Sequence, residues 1–167
     1  MVLSNFYRLI VSFVICYGIG FAGALYAVPM LSLWFSKLSR PDFTPPNETM
    51  ISLGMFVYLL LSLALYFLLS ADTVKREDTK TAVYFFIFGL GLNFLWIYML
   101  FGLRSPFLAL ITMVMLIAIL LSTIYQAVHV SLPAAILLVP YFIACIGAIV
   151  INYYVYAMNP QLPLFMM

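Results

Sequence analysis

The stretch Phe107–Val128, FLALITMVMLIAILLSTIYQAV, decides the class of fold to which this 167-residue chain belongs. It contains no charged side chain, and as a helix it is long enough to cross the hydrocarbon core of a bilayer, which takes roughly 20 residues. Lipid offers no hydrogen bonds to the backbone, so a spanning segment of this composition has to satisfy its N–H and C=O groups within a helix. The stretch therefore predicts a transmembrane α-helix.

Four further stretches share this character, and the sequence predicts five transmembrane helices at Phe6–Met30, Met50–Ala71, Thr81–Gly102, Phe107–Val128 and Pro133–Met158. No Asp, Glu, Lys or His interrupts them, and Arg8 lies near an end, where its long side chain can reach the headgroups. Most of the links are short, which predicts antiparallel neighbours packed as one bundle. We therefore expect an all-α membrane protein, a five-transmembrane-helix bundle that forms a single domain over residues 1–167.

The composition agrees with a multi-pass integral membrane protein and excludes several other classes. Hydrophobic residues make up 67% of the chain and charged residues only 7%, whereas a globular soluble chain carries about 25% charged residues. A net charge of +2 on scattered Lys and Arg gives no sign of nucleic-acid binding. Cys16 and Cys145 lie in apolar runs without a CxxC pair or a His/Cys cluster, so neither a metal site nor a disulfide framework is predicted.

The first connection, Leu31–Thr49, differs from the others because it is long and rich in aromatic residues and proline. Proline fixes φ and aromatic side chains favour burial, so a flexible linker is not expected. One interpretation is an interfacial belt that lies against the headgroups. The other, which we favour, is an ordered lid over the open end of the bundle.

The polar residues inside the predicted helices are few. Asn93 lies beside Trp96 in the third helix, and Asn152 lies in the fifth. An amide facing lipid is costly, so both should face the interior and bond to a neighbouring helix or to a ligand. The absence of an acidic residue in a membrane core argues against ion-coupled transport. His129 is expected in a turn at the membrane edge, and no catalytic set or phosphate loop is present. We predict no catalytic residue, no enzyme activity and no cofactor.

Small residues recur at four-residue spacing, which lets helix backbones approach closely. The pairs are Gly18/Ala22, Gly20/Ala24 and Gly23/Ala27 in the first helix and Ala144/Ala148 in the fifth. Packing inside the bundle is the first interpretation, and a homodimer is the second.

Several segments together carry a family resemblance. They are WFSKLSRPDFTPP at 34–46, LNFLW at 92–96, LLVPY at 137–141, INY at 151–153 and MN at 158–159. In this order and spacing, the chain resembles the TspO/MBR family, the translocator protein/tryptophan-rich sensory protein or peripheral-type benzodiazepine receptor family. The resemblance implies a five-helix bundle, often dimeric, whose first loop closes a cavity for porphyrins, isoquinoline carboxamides and similar drugs.

This resemblance implies a ligand-binding protein that acts as a sensor or carrier, and we expect it in a bacterial cell membrane. The residues that it places at or near the cavity are Trp34, Phe35, Pro45, Asn93, Trp96, Tyr141 and Asn152. Phe43, Gly54 and Ala144 stand where the family usually has Trp. Porphyrin photochemistry in bacterial members relies on such indoles, so this activity is not expected here. The alternatives are a small membrane enzyme acting on tetrapyrroles and a structural or transport subunit.

Overall fold

The computed structural model describes residues 2–71, 76–160 and 162, with the side chains of 2–4 and 76 left out. Its helices are α1 (Val2–Leu33), α2 (Asn47–Leu69), α3 (Arg76–Ile97), α4 (Pro106–Val130) and α5 (Leu132–Met158). There is no strand within this described part of the chain. Each helical segment is long and apolar enough to cross a membrane. The prediction of an all-α, five-transmembrane-helix bundle is confirmed.

Most of the helix ends lie outside the apolar runs. α1 continues to Leu33 and α2 begins at Asn47, so the first connection is shorter than the predicted Leu31–Thr49. α3 begins at Arg76, within the charged link, whose residues 72–75 lie outside the described ones. Polar residues do not stop a helix once it has left the hydrocarbon, because water and headgroups satisfy the ends. Hydropathy therefore marks the membrane core rather than the helix.

The predicted position of His129 in a turn is wrong. His129 occupies the last turn of α4, with its Nδ1 2.9 Å from the carbonyl oxygen of Tyr125. The helix ends only at Ser131, where the backbone becomes extended with φ −154° and ψ 97° and the N–H donates to the carbonyl of Ala127 at 2.7 Å.

The helices form a ring in the order α1, α2, α5, α4, α3, and α1 also contacts α3. The half of the bundle away from the first connection is densely packed, and we call it the closed half. Its core consists of buried side chains from all five helices, among them Cys16 of α1, Leu61, Leu65 and Leu68 of α2, Phe86 and Leu90 of α3, Leu116 and Leu120 of α4, and Leu138 of α5.

Two glycines of α1 serve packing inside the bundle. A Cβ on Gly20 would lie 2.8 Å from the Tyr58 ring, and one on Gly23 would lie 2.8 Å from Cδ1 of Ile97. At Gly20 the contacted atoms belong to a rigid ring, so only glycine allows α1 to approach Tyr58 this closely, whereas at Gly23 the contacted atom is the end of a flexible side chain. The small-residue spacing is thus used within the chain at these positions, and the homodimer stays a prediction.

α3 continues into a π-helix, Tyr98–Gly102. The N–H of Leu103 donates to the carbonyl of Tyr98 at 2.9 Å, and Leu100 and Phe101 are buried. Arg104 then takes a left-handed backbone conformation with φ 52°. The hydroxyl of Ser105 accepts a 3.3 Å hydrogen bond from the N–H of Leu108, which caps α4. Such π-turns are frequent at functional sites, and this one borders a cavity.

Candidate ligand-binding cavity

A cavity of about 550 Å³ lies between the helices in the half of the bundle next to the first connection, which we call the cavity half. Side chains of all five helices line it, α4 contributing Met113. Its wall contains no charged residue among those that the structure describes. Small-molecule sites have volumes of roughly 300–1,000 Å³, mostly apolar walls and a few well-placed polar groups. This cavity has the size and lining of such a site.

A hydrogen-bonded bridge of three side chains crosses the wall. The hydroxyl of Tyr58 on α2 donates to Oδ1 of Asn93 on α3 at 2.5 Å. Nδ2 of Asn93 donates to the hydroxyl of Tyr141 on α5 at 3.0 Å. Asn93 and Tyr141 are buried, and all three residues line the cavity. The Asn93 amide therefore joins three helices and also forms part of the cavity wall. The sequence left open whether it bonds to neighbouring helices or faces a ligand, and its position allows both.

Asn152 and Trp96 bring partly unsatisfied polar groups to the wall. Nδ2 of Asn152 donates to the carbonyl of Pro106 at 2.8 Å, which ties α5 to the start of α4. Its Oδ1 is buried and has no hydrogen-bond partner, and the same holds for Nε1 of Trp96. A buried polar atom without a partner costs about 1–3 kcal/mol. Such atoms in a native structure call for an explanation, and both belong to residues of the cavity.

The first connection forms part of the wall. Phe35 begins a short 3₁₀ helix, Phe35–Lys37, is only 3% exposed and lies 5.7 Å from the Phe101 ring. Pro45 also lines the cavity. Phe43 is 57% exposed and packs against Tyr154 at 5.6 Å. The lid interpretation requires residues of this connection to face the cavity, as Phe35 and Pro45 do. Phe43 faces outwards instead, as expected for a residue of an interfacial belt.

Asn159 fastens this connection to the end of α5. Its Oδ1 accepts a 3.1 Å hydrogen bond from the N–H of Ser39, and its Nδ2 donates to the carbonyl of Ser39 at 2.8 Å. A further bond from Nδ2 reaches the carbonyl of Val155 at 2.7 Å. We call this arrangement the Asn159 clamp. The sequence pointed to Asn159 only as part of a family motif, because a contact across such a distance in the chain leaves no local signal.

Of the seven residues expected at the cavity, the structure brings six into its wall, namely Phe35, Pro45, Asn93, Trp96, Tyr141 and Asn152. Trp34 is not among the lining residues. It is half-buried, with its ring 6.4 Å from that of Phe35, and packs beside the cluster around Leu31. Neighbouring residues in a tight helical turn point in different directions, so Phe35 and Trp34 do not face the same space.

The wall also contains residues that sequence reasoning did not assign to the site. Tyr58 gave no signal, since one tyrosine in an apolar run is unremarkable. Gly54 and Ala144 were noted as departures from the family pattern, and Ala144 also as a member of a small-residue pair, yet neither was assigned to the cavity, which both line. A Cβ on Gly54 would meet nothing within 4 Å. The lack of a side chain at Gly54 therefore leaves space in the cavity rather than bringing backbones together.

The family model described as "TspO/MBR family" matches residues 12–158. The chain belongs to the TspO/MBR family. Among similar proteins is the tryptophan-rich protein TspO of Archaeoglobus fulgidus, 31% identical over 93% of this chain and 99% of the relative. That of Chlorobaculum tepidum is 28% identical over 87% of this chain and 92% of the relative. The tryptophan-rich sensory protein of Cereibacter sphaeroides is 26% identical over 78% of this chain and 79% of the relative.

Membership of the TspO/MBR family and the five apolar helices make this chain a multi-pass integral membrane protein. The cavity lies within the residues that the TspO/MBR model matches. The names of these relatives describe sensory or tryptophan-rich proteins and not enzymes.

Proposed function

We propose that this protein binds a flat, apolar molecule of the porphyrin or isoquinoline carboxamide type in its cavity and acts as a sensor or carrier. The observation that carries the proposal is the uncharged cavity of about 550 Å³ between the helices. Its volume suits a single ring system of drug size or larger, and its apolar wall favours a molecule that leaves water readily.

Two polar groups give this apolar site a means to orient its ligand. Oδ1 of Asn152 is an acceptor and Nε1 of Trp96 is a donor, and neither has a partner. After a small rotation towards the cavity, Oδ1 of Asn152 would accept a hydrogen bond from a ring N–H of the ligand, and Nε1 of Trp96 would donate one to a carbonyl of the ligand. The gain comes from relieving a buried unsatisfied group, which is worth more than a hydrogen bond exchanged with water.

The carboxylates of a porphyrin need a different environment from its ring. The described cavity wall offers them no cation, but two arginines lie at the lid end. The Arg40 guanidinium is 5.2 Å from the ring centre of Phe35, and Nη2 of Arg104 is 3.9 Å from Sδ of Met30. A porphyrin would therefore lie with its ring in the cavity and its carboxylates towards these arginines.

A titration of the detergent-solubilised protein tests this function. The Trp34→Phe variant keeps Trp96 as its only indole, and protoporphyrin should quench that fluorescence saturably at one ligand per chain. Ala144→Leu, which fills part of the cavity, should weaken binding about tenfold, the equivalent of about 1.4 kcal/mol. Ala118→Leu is the matched control, because Ala118 lies on α4, exposed and away from the cavity. Quenching that never saturates, or equal affinities for the two variants, would contradict the proposal.

Illumination of the same complex tests the enzymatic alternative. Ring opening by photochemistry asks for an oxidisable indole against the ring, and Trp96 is the one indole among the described lining residues. With Gly54 and Ala144 in place of further indoles, we expect the porphyrin bands to bleach no faster than with a membrane protein that does not bind porphyrin. Rapid conversion to a defined product would favour an enzyme instead.

A further inference from the structure

The two halves of α2 are packed very differently. From Val57 onwards the helix buries Val57, Leu60, Leu61, Ser62, Ala64, Leu65 and Leu68. From Asn47 to Phe56 it buries none of its described side chains. In a membrane, helices associate through close packing, because lipid is as apolar as the side chains themselves. The first half of α2 is therefore held in place much less firmly than the second.

The cavity extends around this loosely packed segment. Leu53, Gly54 and Met55 all border it. Successive residues of an α-helix point about 100° apart, so these three cover most of the helix circumference. Leu53 is 46% exposed and Met55 is 62% exposed, which means that parts of the cavity border also face outwards. At mid-helix positions in a spanning segment, outwards is towards lipid.

The lid end offers a much less open route. The Asn159 clamp ties Ser39 to α5 with two hydrogen bonds, and Phe35 closes the wall beneath it with only 3% of its surface exposed. Arg40 lies over the Phe35 ring. An apolar molecule on that path would have to break the clamp and pass a charged group. On the α2 side it meets mainly apolar side chains and no charged one among the described lining residues, and the one bond from the Tyr17 hydroxyl to the carbonyl of Met55 is long, at 3.3 Å.

Gly54 lies within the loose segment, three residues before Val57. Glycine is the weakest helix former after proline, and a Cβ at this position would meet nothing within 4 Å. The helix is thus easy to distort at a position that borders the cavity and lies between the exposed residues Leu53 and Met55.

We propose that the segment Met50–Met55 of α2 is a lateral gate through which a ligand dissolved in the bilayer reaches the cavity. This inference rests on the proposed function, since a gate presupposes a ligand. It adds the source of that ligand: the molecule arrives from the lipid, and its concentration in the membrane sets the rate of loading.

The test measures binding rates in lipid nanodiscs with the Trp34→Phe protein and protoporphyrin as the probe. At a fixed total porphyrin concentration, the rate of Trp96 quenching should follow the mole fraction of porphyrin in the lipid. Gly54→Ala strengthens the helix without a clash at its Cβ and should slow both association and dissociation about fivefold, because a ligand passes a gate on entering and on leaving. Gly91→Ala in α3 is the matched control, because Gly91 is exposed, its Cβ position is open and it does not line the cavity. Its rates should match those of the parent.

The outcomes separate the two proposals. If the parent shows no saturable quenching, the proposed function fails and the gate with it. If binding saturates but the Gly54→Ala and Gly91→Ala rates agree, only the gate is wrong. Faster association in Asn159→Ala together with an unaffected Gly54→Ala would place the route at the lid. Efficient cross-linking between two Leu53→Cys chains in the membrane would show that a second copy covers the segment, which would also overturn the gate.

Discussion

In the closed half, Leu65, Leu116 and Leu138 are almost completely buried and fill the space between the helices. In the cavity half the same helices present Gly54, Ala144 and other small residues to an open space of about 550 Å³. Apolar side chains dominate both halves, so hydrophobicity alone does not explain the cavity. The difference is how the side chains meet: those of the closed half contact one another, which is what holds helices together in lipid, whereas those of the cavity half border a space.

The comparison also shows how the cavity half keeps its shape with less packing. Its helices are joined by specific hydrogen bonds, from Asn93 to the hydroxyls of Tyr58 and Tyr141 and from Asn152 to the carbonyl of Pro106. Directional bonds fix the positions of helices without filling the space between them. We infer that amides hold the cavity open in this bundle, while leucines hold the other half closed.

The largest effect is expected from Leu116→Ala in the closed half. Leu116 has no exposed surface, so the truncation should leave a void and lower the free energy of unfolding by about 3 kcal/mol. Ile51→Ala in the cavity half is the control, because Ile51 is already 37% exposed, and should cost less than about 1 kcal/mol. Both are measured by reversible unfolding in mixed detergent micelles. Equal losses would remove the distinction between the halves.

A smaller effect is expected from Asn93→Ala, which leaves two phenolic hydroxyls without their partner. We expect a loss of about 1–2 kcal/mol in the same unfolding assay, because hydrogen bonds between membrane helices contribute roughly 0.6 kcal/mol each and an orphaned buried group adds to this. Tyr58→Phe removes only one of the two bonds and should cost about half as much. If Tyr58→Phe costs as much as Asn93→Ala, the bridge does not join three helices.

The smallest effect on global stability is expected from Asn159→Ala, which removes the clamp. The free energy of unfolding should change by less than about 1 kcal/mol, because segments at the end of a bundle open locally rather than with the whole fold. Hydrogen exchange of the Ser39 amide should nevertheless accelerate about tenfold. Asn47→Ala, which breaks one 3.3 Å bond to the carbonyl of Leu31, is the control and should leave Ser39 unaffected. Unchanged exchange at Ser39 would mean that the clamp does not order the connection.

The sequence was sufficient for the number of helices, because each apolar run is long enough that no other structure satisfies its backbone in lipid. It was less informative about their ends. Asn47 and Arg76 are polar but helical, since they lie beyond the hydrocarbon core where the apolar signal stops. His129 was misplaced for the same reason.

Within the site, the amides Asn93 and Asn152 stood out because a polar side chain in a spanning helix needs a partner. Tyr58 and Asn159 were missed because their roles depend on contacts between helices that are distant in sequence. Gly54 shows a related limit. The sequence identified it only as a position where the family usually has Trp, and the arrangement of the neighbouring helices reveals that the space beside it is empty.

The π-helix Tyr98–Gly102 has a consequence for the lengths that this chain tolerates. A π-turn contains one residue more than an α-helical turn, and Leu103 therefore bonds to a carbonyl five residues back. Deleting one residue here would restore a regular α-helix, whereas a deletion within Arg76–Ile97 would turn the side chains on one side of it by about 100° relative to those on the other. The deletion in the π-helix would turn Leu100 or Phe101 by about 100° relative to the cavity. Variation in chain length at this point would thus reshape the binding surface while the five-helix architecture is kept.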